Sequence, residues 1–506
     1  MRFALLHTPY VATDPTESFF IGNRPTISHR KCLKQTVSHV PLDTASVDMN
    51  PIAKLFSKIS KAIQVQMKPR AAEANARGQE AMKRGDMDEA VEHFSTAIEC
   101  DPDNAVLIYN RGYAYLNASE FELARADFDR AIELTPDDAD PYFRRGECFQ
   151  NEDNYAAAVK DYTRAIKLKP EDSRFFNRRG VSLLSLGETD KSLADFKKAI
   201  EFDPNNEQAH RNRAGVLVDE GRHDEALKAF ATWLEADPDC AEAWNKRGNV
   251  YRLKGDHKRA IAAYTKAIRL APDDAEFYSN RAASLDDCGQ KKEALADYKK
   301  SLQLDPENTY ALYGRGWLYA LAKRFEQGLA DFERWAAIEP DCEGAYDGQS
   351  WCLARLGREQ EALKAAEREI ELSRPKGLRA RGHVKLIAGQ YEAGFTDLKE
   401  AFRLQPENAE WANQIAWMRS VLPDPSVRNP EEAIHYAQIA RRLSDNKNWS
   451  ILNTLAAALA DAGRWDEAIS LQEKVVAAIG DTSDEFQEHL DLFRNHKPCR
   501  LEYSNL

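Results

Sequence analysis

Prolines stand at 102, 136, 170, 204, 238, 272, 306 and 340, each 34 residues after the last, with Pro406 two beats further on. Around each lies the same short text: DPDN, TPDD, KPED, DPNN, DPDC, APDD, DPEN, EPDC and QPEN. Proline ends a helix, because it has no N–H to donate and its ring clashes with the preceding turn. The Asp or Asn that follows can accept the orphan N–H groups of a new helix. Every beat is therefore a helix end, a tight turn and a helix start. A fixed period of this length marks a stacked array, in which each unit buries its apolar face only against its neighbours.

Counting the proline as position 32, position 8 holds Gly78, Gly112, Gly146, Gly180, Ala214, Gly248, Ala282 and Gly316. Position 20 is small (Ala90, Ala124, Ala158, Ser192), as is position 27 (Ala97, Ala131, Ala165, Ala199), and position 24 is aromatic (Phe94, Phe128, Tyr162, Phe196, Phe230, Tyr264, Tyr298, Phe332). This pattern closely resembles the tetratricopeptide (TPR) repeat, a pair of helices per unit. The resemblance implies an all-α fold, a right-handed α-α superhelix of about twelve helix-turn-helix repeats with a C-terminal capping helix. The repeats start near 71, 105, 139, 173, 207, 241, 275, 309, 343, 375, 409 and 449. Repeats one to ten thus occupy 71–408, and divergent repeats eleven and twelve occupy 409–480. The ninth departs, with Pro375 one place late and Ala366 where an aromatic is usual. The eleventh carries the insertion VLPDPSVRNPEEA. Residues 481–506 are expected to form a capping helix and tail. NQIAW (413–417), NPEEAIHYAQIA (429–440) and FRNHKPCR together resemble the closing module of planctomycete TPR proteins, with Cys499 where that module suggests an aromatic.

Residues 1–48 lack a helical period and read as a disordered or mis-assigned extension. Residues 49–70 form a basic amphipathic stretch, with Ile52, Leu55, Phe56, Ile59 and Ile63 on one helix face. Its favoured reading is a cap over the first repeat; the other is a membrane-surface helix. No run approaches the roughly 20 apolar residues that span a bilayer. The eight cysteines form no close pairs, which favours reduced thiols and a cytoplasmic location. The net charge is −12, and because residues 1–70 carry +6, the rest carries −18. So acidic a body repels phosphate, which excludes nucleic acid as main partner.

An arginine returns at position 7: Arg77, Arg111, Arg145, Arg179, Arg213, Arg247, Arg281, Arg315 and Arg381. In six of these repeats position 23 is aspartate: Asp127, Asp161, Asp195, Asp297, Asp331 and Asp397. The spacing predicts half-buried ion pairs at a structural joint, with ligand contact as the weaker alternative.

Binding in such arrays is expected on the concave face, at positions 2, 5, 6, 9, 12 and 13 of the first helices. There the chain offers Tyr109, Asn110, Tyr113, Phe143 and Arg144, then a basic, amide-rich middle of Asn177, Arg178, Arg211, Asn212, Asn245, Lys246 and Asn249. Asn280 with Asp286 and Asp287 follows, then Tyr313, Trp317 and Trp351. Carboxamides can engage a peptide backbone at both C=O and N–H, and aromatics supply anchors. Each of these residues also has a plain reading as solvated surface or packing. The chaperone-tail carboxylate clamp of TPR domains matches only at Asn110 and Arg144, and Asp140 reverses one of its charges. The asparagine ladder of O-linked N-acetylglucosamine transferase is matched by Asn110, Asn212 and Asn280 and interrupted by Arg144, Arg178 and Lys246; that enzyme's catalytic domain has no counterpart here.

No phosphate-binding loop, zinc-protease or nucleophile-elbow motif occurs, and the histidines show no metal-ligand spacing. The expected function is a non-enzymatic scaffold, without metal or cofactor, that holds an extended and preferably acidic segment of another protein in its groove. The alternative is an adaptor or regulatory subunit of an enzyme complex, glycosyltransferase-like or chaperone-linked. Oligomeric state is left open.

Overall fold

The computed structural model describes residues 68–444, 448–479 and 484–500. The expectations for 1–48, and for all but the last residues of 49–70, lie outside these. Among the described residues are 25 α-helices and one 3-10 turn, with no strand. They form twelve helix pairs, from Pro69–Arg84 with Met87–Cys100 to Trp449–Asp461 with Trp465–Ile479, closed by Asp484–Arg494. Two compact bodies divide between Lys254 and Gly255, within repeat six. In each, the two helices of a repeat pack together, and the second helix packs on the first helix of the next repeat.

The caps form as the text around the prolines predicts. Asn104, Asp138, Asp172, Asn206, Asp274 and Asn308 each accept a backbone N–H from the first turn of the helix they precede. Repeat nine lacks such a cap, because Cys342 stands in its place. Its first helix starts late, at Ala345, and the Gly344 N–H donates to both oxygens of the fully buried Glu369, at 3.0 and 3.1 Å. Glu369 occupies position 27, where most repeats carry alanine.

Position 8 must be small because the position-24 ring lies on it. A Cβ at Gly78, Gly146 or Gly180 would sit 2.7 Å from the ring of Phe94, Tyr162 or Phe196. Beside this contact lies the arginine joint. Arg111, Arg145, Arg179, Arg281, Arg315 and Arg381 each grip both oxygens of the aspartate sixteen residues on, at 2.6–2.9 Å. Where that aspartate is missing the arginine turns elsewhere: Arg77 pairs with exposed Glu73 at 2.8 Å, and Arg247 lies over Trp244 at 4.3 Å.

In repeat eleven the insertion is pinned by Arg419. Its guanidinium lies 3.6 Å from the Phe395 ring, pairs with Glu392 and Glu432, and donates to the Val427 carbonyl. The end of the chain folds back over repeats eleven and twelve. Phe493 and Cys499 are buried in the same core as Trp411 and Trp417, so the small thiol fits where an aromatic was expected. Arg500 pairs with Asp461 and donates to the Ser420 carbonyl at 3.0 Å.

Candidate functional site

In the first body, residues 68–254, the amides of the first-helix face are locked in pairs. Asn110 Nδ2 donates to Asn75 Oδ1 at 2.9 Å, and Asn212 Nδ2 donates to Asn177 Oδ1 at 3.1 Å. Each pair links position 5 of one repeat to position 6 of the next. Asn75, Asn110 and Asn177 are buried. The amides are thus engaged with one another across successive repeats. What remains of each pair is the amino group of Asn75 or Asn177 and the amide oxygen of Asn110 or Asn212, without a hydrogen bond among the described residues. The same 35-residue spacing separates Asn245, which is buried, from Asn280 in the second body.

The basic middle is more nearly neutral than its composition suggests. Arg144 lies 4.4 Å over the Tyr113 ring, donates to Tyr109 Oη at 3.3 Å and pairs with Glu147 at 2.7 Å. Burial opposes its charge, but Glu147 and the two phenols overcome that and raise its pKa. Arg178 reaches the same Glu147 at 3.4 Å. Arg211 is held between Glu207 and Glu242, at 2.7 and 2.6 Å. Lys246 has no ion pair among the described residues, and Asn249 beside it is half-buried. Glu147 and Glu242 thus offset the arginines of the basic, amide-rich middle. Glu147 stands at position 9, three residues after Arg144, a helical spacing that could have revealed the pair. The expectation for Phe143 is corrected. It packs between Phe175 and Tyr162, with centroids 4.8 and 5.6 Å away, and belongs to the core.

In the second body the face is aromatic and acidic. Tyr313 meets Trp335 edge-on at 5.6 Å, and Trp317 meets Phe332 at 5.2 Å. Trp351 stands edge-on to His383 at 6.0 Å, with the Arg355 guanidinium 5.9 Å from its ring. All three of Tyr313, Trp317 and Trp351 are half-buried. Asn280 is buried and donates to Glu276 at 3.3 Å. Among the described residues no group of three or more His, Cys, Asp and Glu side chains is placed to hold a metal ion. No described helix is long and apolar enough to cross a membrane.

Family profiles for the tetratricopeptide repeat match residues 75–139 and 212–275, then 139–172, 173–206 and 275–308, and finally 450–479. Among solved structures, YrrB, described as a TPR protein with an unusual peptide-binding site, is 30% identical, over 36% of this chain and 95% of that one, with a TM-score of 0.31. The chain belongs to the tetratricopeptide-repeat family. Two further similar TPR structures are the C-terminal part of a repeat-containing protein from Cytophaga hutchinsonii and Cut9 with Hcn1. The first is 16% identical over 47% of this chain and 98% of that one, with a TM-score of 0.42. The second, an APC/C hetero-tetramer, is 13% identical over 87% and 99%, with a TM-score of 0.40. No curated protein matches. As a TPR protein the chain is a scaffold for protein interaction.

Proposed function

We propose that this TPR protein holds an extended segment of a partner protein along its first-helix faces. The observation that carries this reading is the doubled amide pair. Asn75 with Asn110, and Asn177 with Asn212, each keep an open amino group and an open amide oxygen, held in place by the bond between them. A peptide backbone offers the complementary acceptor and donor at every residue, so such pairs bind a strand with little regard to its sequence. Tyr109 and Tyr113, stacked at 6.4 Å and held by Arg144, supply a rigid apolar anchor beside the first pair. Acidic groups on the partner would meet Lys246 and the outer edge of Arg211. Because Glu147, Glu207 and Glu242 already offset the arginines, this charge preference is modest and falls with salt.

The test is site-specific photo-crosslinking in native lysate, with the probe at Tyr113 on the first-helix face or at Arg130 on the exposed side of a second helix. Partner peptides attached at Tyr113, and lost in an Asn110→Leu/Asn212→Leu variant of unchanged melting temperature, are the expected result. Partners attached only at Arg130 would overturn the reading.

A further inference from the structure

Tyrosine replaces phenylalanine at position 24 in repeats three, six and seven of this chain, and the phenols of repeats three and seven differ. Tyr162 Oη donates to Gln150 at 2.8 Å. Tyr298 is only 3% exposed, yet its hydroxyl has no hydrogen bond among the described residues. The oxygen itself keeps some solvent access, so it leaves an open hydrogen-bonding position on this face. The phenol comes through the joint between repeats seven and eight at position 6 of the latter. There Gly314 replaces the Asn, Arg or Lys of repeats two to seven, and any side chain at 314 would collide with the Tyr298 ring.

The groups around that hydroxyl are Tyr310, Tyr313, Asp286 and Asp287; burial first, then these neighbours, push the Tyr298 pKa well up. The Asp286 carboxylate has no hydrogen bond or ion pair among the described residues. Burial raises its pKa, and Lys291, on the exposed start of the next helix, opposes this. Asp287 has His257 3.4 Å away. One helical turn beyond Tyr313 stands Trp317, its ring fixed against Phe332. The Asp286 carboxylate, with the partnered Asp287 beside it, an unpaired phenol oxygen and half-buried aromatic faces together suit a cation that brings its own N–H donors.

The same body shows how such a carboxylate is used. Asp461 occupies position 13 of repeat twelve, the place Asp287 holds in repeat seven. It is buried and takes Arg500 from the chain's own tail, together with Arg428 at 3.2 Å. We infer that the Asp286, Asp287 and Tyr298 cluster on repeats seven and eight is a subsite for an arginine or lysine side chain of the bound partner segment. The inference rests on the groove reading above and adds a specificity to it. The preference it names is opposite in sign to that expected for the first body.

The experiment selects peptides of about a dozen residues from a random phage-displayed library on the full-length protein. It then measures their affinities for the wild type, Asp286→Asn and Tyr298→Phe by fluorescence anisotropy. Enrichment of Arg or Lys, with affinity falling about tenfold in Asp286→Asn and severalfold in Tyr298→Phe at unchanged melting temperature, is expected for a charge-assisted contact. Peptides that crosslink to a probe at Trp317, but whose affinity ignores both substitutions, overturn the subsite and leave the groove reading standing. Peptides that crosslink to no first helix overturn both.

Discussion

At the scale of single residues, adjacent arginines in this chain carry different duties. Arg179, at position 7, grips Asp195 with both ends of its fork at 2.7 and 2.8 Å, and Asp195 is buried. Arg178, at position 6, only approaches Glu147, which Arg144 already satisfies. Removing one partner of a buried pair strands the other charge, whereas a solvated pair contributes little. Arg179→Ala is therefore expected to cost about 3 kcal/mol, and Arg178→Ala less than about 1 kcal/mol. Chemical denaturation of both variants checks this. Equal and negligible losses would show that the repeated arginine is merely solvated.

At the scale of elements, repeat nine caps its first helix from a distance. The missing Asx residue leaves Gly344 N–H to Glu369, whose carboxyl burial and nearby Asp347 push from the ordinary 4.5 up to about 7. The folded state thus holds this proton more tightly than the unfolded chain does. Stability contributed here is complete below about 4.5 and falls as the pH rises toward 7, since ionisation is then easier in the unfolded chain. Glu369→Gln keeps an acceptor for Gly344 and cannot ionise. The difference in denaturation midpoint between wild type and Glu369→Gln should therefore shift in favour of the variant between pH 5 and about 7. A difference that does not change with pH would mean that Glu369 titrates normally.

At the scale of the whole molecule, an array without long-range closure frays from its ends, so the terminal helix matters beyond its size. His489 is a buried titrating group in that closure. It bonds Asn453 Oδ1 at 2.9 Å and packs against Trp417, with centroids 5.9 Å apart; burial pushes its pKa from 6.5 down to about 4. The unfolded end takes up a proton that the folded end refuses. The stability His489 contributes at neutral pH is therefore lost as the pH falls from 6.5 toward about 4. Hydrogen exchange, corrected for intrinsic rates, should show 449–500 losing protection near pH 5 while 105–168 keeps it. Equal protection in both segments would place the acid-sensitive group elsewhere.

Much of this architecture is legible in the sequence because each repeat meets only its neighbours, so a fixed offset along the chain is a fixed offset in space. The proline period placed the helix ends, the Asx residues after it the caps, and the sixteen-residue step from Arg179 to Asp195 the ion pair. The candidate face was legible as a set of positions but not in its chemistry. Whether Asn110 faces solvent or Asn75, and whether Arg178 is a free cation or a partner of Glu147, depends on rotamers chosen against the next repeat. The same holds for Tyr298, whose residue type matches that of Tyr162 but whose hydroxyl meets no Gln150. Glu369 capping Gly344 departs from the usual cap within its own repeat, and Arg500 reaching Ser420 eighty residues back breaks the neighbour rule altogether. Periodicity along a chain determines which helices stack. Only the packed structure decides which polar atoms are used up in the stacking and which are left for a partner.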